Sequence, residues 1–208
     1  VWLTEHQFTE DAYNPASLSM AAAIAAVTNR IRIGTFVLLL PFIHPVRAAE
    51  DIALADIISD GRFDIGVGMG YTHDEFNAFC TDRSERAPRF VEGIELMRRL
   101  FTEDDVTFNG RFTQTKNLNL APKTVQKPHP PLWIGARGPK AIRRAANFGA
   151  NLMTTLGPDP APLYLETLEE LGRNPADFKI AQLRMVYCAE SEEQAWDEIQ
   201  DHLAHVFG

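Results

Sequence analysis

A glutamate and a histidine lie side by side near the beginning of the sequence, after a short apolar run. The run Val1–Leu3 is typical of a buried strand, and Thr4, Glu5 and His6 follow it. Parallel α/β folds build their sites at the carboxyl ends of strands, where a histidine can act as acid, base or hydrogen-bond donor. His6 is therefore a candidate catalytic residue, and Glu5 is a candidate for fixing its tautomer and orientation. The alternative interpretation is a solvated pair of turn residues.

Three glycines at alternate positions, Gly66, Gly68 and Gly70, follow a predicted strand over residues 62–67. Their spacing is G-x-G-x-G, whereas a dinucleotide-binding loop requires G-x-G-x-x-G and an acidic residue about 20 positions later. The sequence therefore does not predict a Rossmann site. Glycines here allow the backbone to approach either a flat ligand or another stretch of backbone closely, and both interpretations remain open.

A second glycine-containing loop, Gly135-Ala136-Arg137-Gly138-Pro139, joins a predicted strand to a predicted helix. Free N–H groups at a helix N-terminus and the helix dipole favour an anion, and an arginine can add a bidentate contact to a phosphate. Pro139 removes one of those donors. The loop is a candidate phosphate site, although many loops of this kind bind nothing.

Composition and missing motifs exclude several other classes. The 208 residues carry a net charge of −8, which argues against nucleic acid as a main partner. The sequence has no G-x-x-x-x-G-K-[ST], H-E-x-x-H, C-x-x-C or G-x-S-x-G motif, so no metal site is predicted. The two cysteines, Cys80 and Cys188, fit a reducing cytosol, and no stretch is long and apolar enough for a membrane span. We therefore expect a cytoplasmic protein, and an opening at Val1 without Met suggests that an upstream part is missing.

Strands and helices alternate along the chain, which indicates a parallel sheet. The predicted strands cover residues 1–3, 31–40, 62–67, 132–135, 151–155 and 180–188, and the predicted helices 18–27, 45–58, 85–101, 139–148, 161–171 and 192–206. An excursion over residues 104–130 contains Asn109-Gly110, a hairpin-turn signal. A doubly wound sheet and a (β/α)8 barrel both fit this order, but a complete barrel takes about 250 residues. The prediction is one partial domain over residues 1–208.

Taken together, these segments resemble the bacterial luciferase-like flavin monooxygenase family along nearly the whole chain. The family motif E-H-H-F-T-E is similar to residues 5–10, and G-T-x-x-x-x-x-P-x-x-H-P-V-R-x-A-E-D is similar to residues 34–51. The motif S-x-G-R-F-x-x-G is similar to residues 59–66, and D-F-x-x-F-G is similar to residues 75–80. Four motifs in the same order make the resemblance specific.

The resemblance implies a TIM-type barrel that binds reduced flavin at its C-terminal face, and dimers formed through residues 16–29 and 45–59. It implies that His6 is the catalytic histidine and that a bulge, often with a non-prolyl cis peptide, packs on the flavin ring. The residues implied to contact the cofactor are Phe36 and Val37 at the bulge, Gly68 and Met69 after the next strand, Arg137, Gly138 and Ala141 in the phosphate loop, and Thr155 at the end of the following strand.

The departures from the family pattern are informative. Gln7 stands where the family has a second histidine, and Gly68 and Met69 stand where luciferase has a reactive cysteine and a phosphate-binding arginine. Phosphate binding is therefore expected to depend on Arg137 and backbone donors, which argues against light emission. The family's first strand and last βα unit have no counterpart, so we expect an incomplete barrel with open edges.

The leading functional hypothesis is a monooxygenase that uses reduced FMN, supplied by a reductase, and O2 to oxidise a small organic substrate. One alternative is a deazaflavin-dependent dehydrogenase, and the other is a non-catalytic flavin-binding protein. His6 favours catalysis over storage, whereas the substrate is not readable from the sequence.

Overall fold

The computed structural model describes residues 1–155 and 157–207. The strands in chain order are β1 (Trp2–Leu3), β2 (Ile33–Thr35), β3 (Leu38–Leu39), β4 (Phe63–Gly68), β5 (Val106–Asn109), β6 (Gln114–Leu118), β7 (Leu132–Gly135), β8 (Asn151–Thr154) and β9 (Ile180–Gln182). The helices are α1 (Ser17–Val27), α2 (Pro45–Ile58), α3 (His73–Ala78), α4 (Arg86–Thr102), α5 (Pro139–Phe148), α6 (Ala161–Glu170) and α7 (Glu192–Phe207). Three short 3₁₀ helices cover Leu40–Phe42, Arg83–Glu85 and Pro175–Asp177.

A parallel sheet forms the centre of the fold, as the alternation predicts. Within the described residues it has seven strands in the order β1-β2-β4-β7-β8-β9, and β3 also pairs with β4. The strands β4 and β7 lie in the middle and are almost wholly buried, since helices pack over such runs. Among the described residues, no strand pairs with the outer edge of β1 or of β9, as in an incomplete barrel.

The predicted continuous strand over residues 31–40 is wrong, because two short strands flank a bulge. Ile33 pairs with Phe63, 30 residues later, whereas Leu38 pairs with Val67, 29 residues later. One extra residue is therefore inserted on this strand relative to β4, which is the definition of a β-bulge. The Phe36–Val37 peptide bond at this position is cis.

The start of β4 holds the end of α1 in place. Arg62 donates hydrogen bonds to the carbonyl oxygens of Ala25 (3.2 Å), Thr28 (2.8 Å) and Ile31 (2.7 Å). The contacts to Ala25 and Thr28 satisfy carbonyl groups at the C-terminus of α1, and the contact to Ile31 holds the connection to β2. The Gly61-Arg62-Phe63 segment thus joins α1 to the sheet.

Two apolar helices pack together beside β2 and β4, but they are only partly covered. On α1, Ala21 and Ala25 face the core, and Val27 is 82% exposed. On α2, Ala49 and Ile52 are buried, and Leu54 is 45% exposed. The apolar residues of α1 and α2 thus lie on two faces of this helix pair. One face packs on the sheet, and the other is exposed to solvent in the monomer.

The excursion forms a hairpin of β5 and β6, as predicted, but its turn differs from a two-residue Asn-Gly turn. The loop spans residues 110–113, and the N–H of Gly110 donates to the carbonyl of Thr113 at 3.0 Å. Glu92 on α4 accepts the backbone N–H groups of Arg111 (2.7 Å) and Thr113 (2.6 Å). A tertiary contact to α4 therefore shapes the loop.

The predicted last strand over residues 180–188 is also wrong in its extent, because β9 ends at Gln182. Its partner β8 ends at Thr154, so the ladder stops there. The following segment runs along α7 instead, where the Tyr187 hydroxyl donates to Glu198 at 2.6 Å.

None of the helices within the described residues combines the length and the hydropathy that crossing a membrane requires.

Candidate active site

The sheet brings the ends of five strand segments to one edge, where the predicted site residues lie. Because all of these strands are parallel, their carboxyl ends face the same side. Glu5 and His6 follow β1; Phe36 and Val37 follow β2; Gly68 ends β4 and Met69 follows it; Arg137, Gly138 and Ala141 follow β7; Thr155 follows β8. The ends of β1 and β7 are three strand spacings apart, about 14 Å along a flat sheet.

The imidazole of His6 is held by a buried carboxylate from α3. Its Nδ1 lies 3.0 Å from Oε1 of Glu75, whose residue is 1% exposed. Its Nε2 lies 3.4 Å from the hydroxyl of Tyr71, a long hydrogen bond. The edges of Tyr13 and Tyr71 pack against the ring with centroid distances of 5.4 and 5.5 Å. His6 is thus fixed at four places rather than solvated in a turn.

The expected role of Glu5 in orienting His6 is corrected by the structure. One oxygen of Glu5 accepts the side-chain amide of Gln7 at 3.0 Å, and the other accepts the hydroxyl and the N–H of Ser17. The carboxylate therefore serves as an anchor between β1 and the first turn of α1. Its partners account for the burial of a charged group.

Sequence reasoning missed Glu75 and Tyr71. They lie 65 to 69 residues after His6, and a local pattern carries no information on such a contact. The sequence contained one signal for Glu75, which falls at the acidic position of the D-F-x-x-F-G motif. The signal for Tyr71 is the preceding Gly70, whose φ of +71° turns the chain after β4 and directs Tyr71 toward His6.

The two interpretations of the G-x-G-x-G segment are decided by its contacts with other parts of the chain. A Cβ on Gly66 would lie 1.8 Å from the carbonyl oxygen of Thr35, so this glycine is needed for close backbone packing. A Cβ on Gly68 would lie 2.3 Å from Cγ2 of Val37, and one on Gly135 would lie 3.1 Å from Cγ1 of Val37. The bulge residue Val37 is therefore seated on two strand-end glycines.

The loop after β7 is open. Gly138 caps α5, and its carbonyl accepts the N–H groups of Ala141 (2.9 Å) and Ile142 (3.0 Å). A Cβ on Gly138 would meet no atom of the described residues within 4 Å. Arg137 is exposed and has no hydrogen-bond partner within the part of the chain that the structure describes. The open space and the exposed Arg137 suit an anion, although Pro139 has no N–H and the N–H of Ala141 is engaged by Gly138.

A second arginine approaches the same edge from α5. Arg144 is half-buried, and its guanidinium donates to the sulfur of Met69 at 3.3 Å. Burial lowers the pKa of Arg144 from its usual value. Helical side chains lean toward the N-terminus of their helix, so the guanidinium reaches up to the end of β4. The positively charged guanidinium of Arg144 therefore lies beside Met69, whose own side chain is neutral.

The described residues 1–155 and 157–207 contain no group of three or more His, Cys, Asp or Glu side chains placed to hold a metal ion. The polar and charged side chains at this edge include one histidine, the buried carboxylates of Glu5 and Glu75, two tyrosines and two arginines.

Comparisons with known proteins find relatives of this chain. A family model described as luciferase-like monooxygenase matches residues 1–207. The oxygenase component of a flavin-dependent trigonelline monooxygenase from Acinetobacter baylyi is 31% identical over 203 residues, which cover 94% of this chain and 56% of that protein. An F420-dependent glucose-6-phosphate dehydrogenase from Nakamurella multipartita is 34% identical over 158 residues, which cover 74% of this chain and 45% of that protein.

Among solved structures, a monooxygenase from Streptomyces bottropensis superposes with a TM-score of 0.90 and 32% identity. The superposition covers 98% of this chain and 65% of that one. The chain spans about half the length of the curated relatives named above. Because the family model matches almost every residue, the chain belongs to the luciferase-like monooxygenase family.

Proposed function

We propose that this chain forms the cofactor face of a flavin-dependent monooxygenase, an oxidoreductase that uses reduced FMN and O2 on a small organic substrate. The observation that carries the proposal is the seat of Val37 on Gly68 and Gly135, between the end of β1, which His6 follows, and the open loop after β7. In this order an apolar floor would separate a proton-handling group from an anion site. A molecule with a flat ring and a terminal phosphate fits it.

The residues present fit such a cofactor. Phe36 and Val37 would lie against its ring, and Arg137, Gly138 and Arg144 would hold its phosphate. Gly138 leaves the space that a phosphate needs, and Arg144 is a half-buried cation without a carboxylate partner within the described residues. Ala141 and Thr155 border the loop from α5 and from the end of β8.

The chain itself would handle the proton and shape the site. When bound, the reduced flavin supplies the electrons that activate O2, which protein side chains cannot do. His6 would hold or move a proton at its exposed ring nitrogen. Four phenylalanines near α3 would give an organic substrate an apolar wall: Phe8, Phe42, Phe76 and Phe79 contact one another with centroid distances of 4.7 to 5.8 Å.

A second candidate function is an F420-dependent dehydrogenase. The 34% identity to the Nakamurella enzyme supports it, since that relative carries a deazaflavin on a related chain. The same floor and anion site would accept either cofactor. The two functions differ in whether O2 is consumed.

The partners follow from the same proposal. The Acinetobacter relative is named an oxygenase component, which favours a separate flavin reductase as the supplier of reduced FMN. We also propose a homodimer through residues 16–29 and 45–59, and a TIM-type barrel whose further strands would pair at β1 and β9.

The test is oxygen incorporation. The chain is mixed with FMN, a flavin reductase, NADH and a panel of small organic compounds under ¹⁸O2, and products are analysed by mass spectrometry. Labelled product that requires the chain is the expected result. Reduction of F420 by an alcohol or sugar phosphate, without any labelled product, would favour the dehydrogenase instead. Flavin binding without either reaction would overturn both functions.

A further inference from the structure

Two carboxylates lie near the imidazole ring of His6. Glu5 is the neighbour in sequence, but its oxygens are engaged by Gln7 and Ser17. Glu75 is the neighbour in space, and its Oε1 contacts Nδ1 of His6 at 3.0 Å.

The surroundings of Glu75 fix the direction of this hydrogen bond. Its Oε1 also lies 3.2 Å from the backbone N–H of Gln7, which can only donate, so this oxygen acts as an acceptor. Its Oε2 is buried without a hydrogen-bond partner among the described residues, so Oε1 makes the contacts of this carboxylate. A carboxylate oxygen only accepts, and Nδ1 of His6 is then the donor to Oε1.

A ring that keeps its proton on Nδ1 must gain or lose the other proton at Nε2. This nitrogen faces Tyr71, whose hydroxyl is 3.4 Å away and whose residue is 67% exposed at the end of β4. Nε2 and the Tyr71 hydroxyl therefore face the open side of the site, while Nδ1 and Glu75 face the interior.

We propose that Glu75 is a positioning residue that holds His6 in its Nδ1–H form, so that proton exchange takes place at Nε2 beside the Tyr71 hydroxyl. When Nε2 takes a proton, a bond to hydrogen forms there, the bound molecule loses that proton, and the resulting imidazolium lies against the Glu75 carboxylate. The inference deepens the proposed function and rests on it for the role in turnover. The tautomer itself can be measured without any flavin.

The first experiment is ¹⁵N NMR of histidine-labelled protein. The sequence has six histidines, and the His6 signals are those missing from His6→Asn. In the unsubstituted chain we expect the neutral ring to show a protonated Nδ1 and an unprotonated Nε2. A neutral ring protonated at Nε2 would overturn the proposal without any further variant.

Variants then separate the two carboxylates. Glu75→Met keeps the length and the apolar packing but removes the acceptor, so the neutral proton should shift toward Nε2, the form that free histidine prefers. Glu75→Asp should restore the Nδ1–H form, since it returns an acceptor to the same segment. Glu5→Gln is the matched control and should leave the tautomer unchanged. A switch in Glu5→Gln, or none in Glu75→Met, would overturn the assignment.

Turnover supplies the second readout. Glu75→Met should lower kcat by about 10- to 100-fold with little change in the Kd for FMN, and Glu75→Asp should recover part of the loss. Normal kcat in Glu75→Met would refute the positioning role. The proposed function can fail separately, because an Nδ1–H ring in a chain that yields no labelled product would leave the tautomer assignment intact.

Discussion

The carboxylate of Glu75 lies 3.0 Å from Nδ1 of His6 and joins the end of β1 to α3 across 69 residues of sequence. The glutamate is buried while the histidine is partly open to solvent. A charged group buried in this way requires its partner, because an unpaired carboxylate costs several kcal/mol. The contact therefore couples the stability of α3 to the orientation of the catalytic candidate.

This coupling determines which substitution tests catalysis. His6→Asn places an amide N–H near the position of Nδ1, so Glu75 keeps a donor, whereas alanine would leave it unpaired. We expect turnover to fall about 10²- to 10⁴-fold, the usual contribution of a positioned acid or base. The Kd for FMN and the Tm should stay near those of the unsubstituted chain. His202→Asn, on exposed α7, is the control. Loss of FMN binding with normal residual turnover would show that His6 is structural.

Arg137 and Arg144 should contribute to phosphate binding. Because a hydrogen bond to a charged group contributes about 1.5–3 kcal/mol, Arg137→Gln and Arg144→Gln should each weaken FMN binding by roughly 10- to 100-fold. Riboflavin, which lacks the phosphate, should bind each variant as it binds the original chain. Arg143→Gln, next to Arg144 but paired with Glu170 on the outside, should change neither affinity. Equal weakening of FMN and riboflavin would contradict the assignment.

The open faces of α1 and α2 should form the dimer. A monomer would leave Met20, Val27, Leu54, Ile57 and Ile58 exposed to water. Leu54→Glu should therefore shift sedimentation toward the monomer at micromolar concentration. Leu165→Glu, on α6 and similarly exposed, should leave the sedimentation coefficient unchanged. An unsubstituted chain that sediments as a monomer would disprove the interface.

Arg62 should stabilise the fold. Arg62→Met removes the donors to three carbonyl oxygens, two at the end of α1 and one in the connection to β2, and we expect a loss of about 1.5–3 kcal/mol in the free energy of unfolding. Arg143→Met removes an exposed ion pair with Glu170 and should cost less than about 1 kcal/mol. Urea denaturation of both variants measures the difference. Similar losses would show that the contacts of Arg62 contribute no more than a surface ion pair.

His129 should make the fold less stable in mild acid. Burial lowers the pKa of His129 below its usual 6.5, although the neighbouring Pro130 carbonyl opposes this. A histidine with a lowered pKa in the folded state stabilises the fold while it is neutral. That contribution is present above pH 6.5 and is lost as the pH falls through the lower, folded pKa.

His129→Asn should flatten this decline, because the amide can still donate to the Pro130 carbonyl but does not titrate. Thermal melts between pH 5 and 8, the range in which histidine changes its charge, measure the slope. An unchanged slope in the variant would assign the acid sensitivity to other groups.

The sequence by itself determined the elements that form from local chemistry. Pro139 at the first helical position and Gly149 after the last one delimit α5, and the structure places this helix at Pro139–Phe148 as predicted. The apolar run of β7 is likewise found where it was expected, over Leu132–Gly135. Because parallel strands end at one edge, alternation alone placed His6, Val37, Gly68 and Arg137 on the same side of the sheet.

Tertiary structure decided everything that depends on two distant segments. The strand predicted over residues 31–40 is divided because its two parts pair with β4 in different registers. Local residue propensity contains no information about pairing register. Likewise, β9 stops where β8 stops. The partner of His6 is Glu75 rather than adjacent Glu5, because packing of α1 engages Glu5 with Ser17 while the turn after Gly70 brings α3 under the imidazole. Adjacency in sequence does not make two side chains hydrogen-bond partners. A hydrogen bond requires proximity in space, which only the folded sheet and its helices establish.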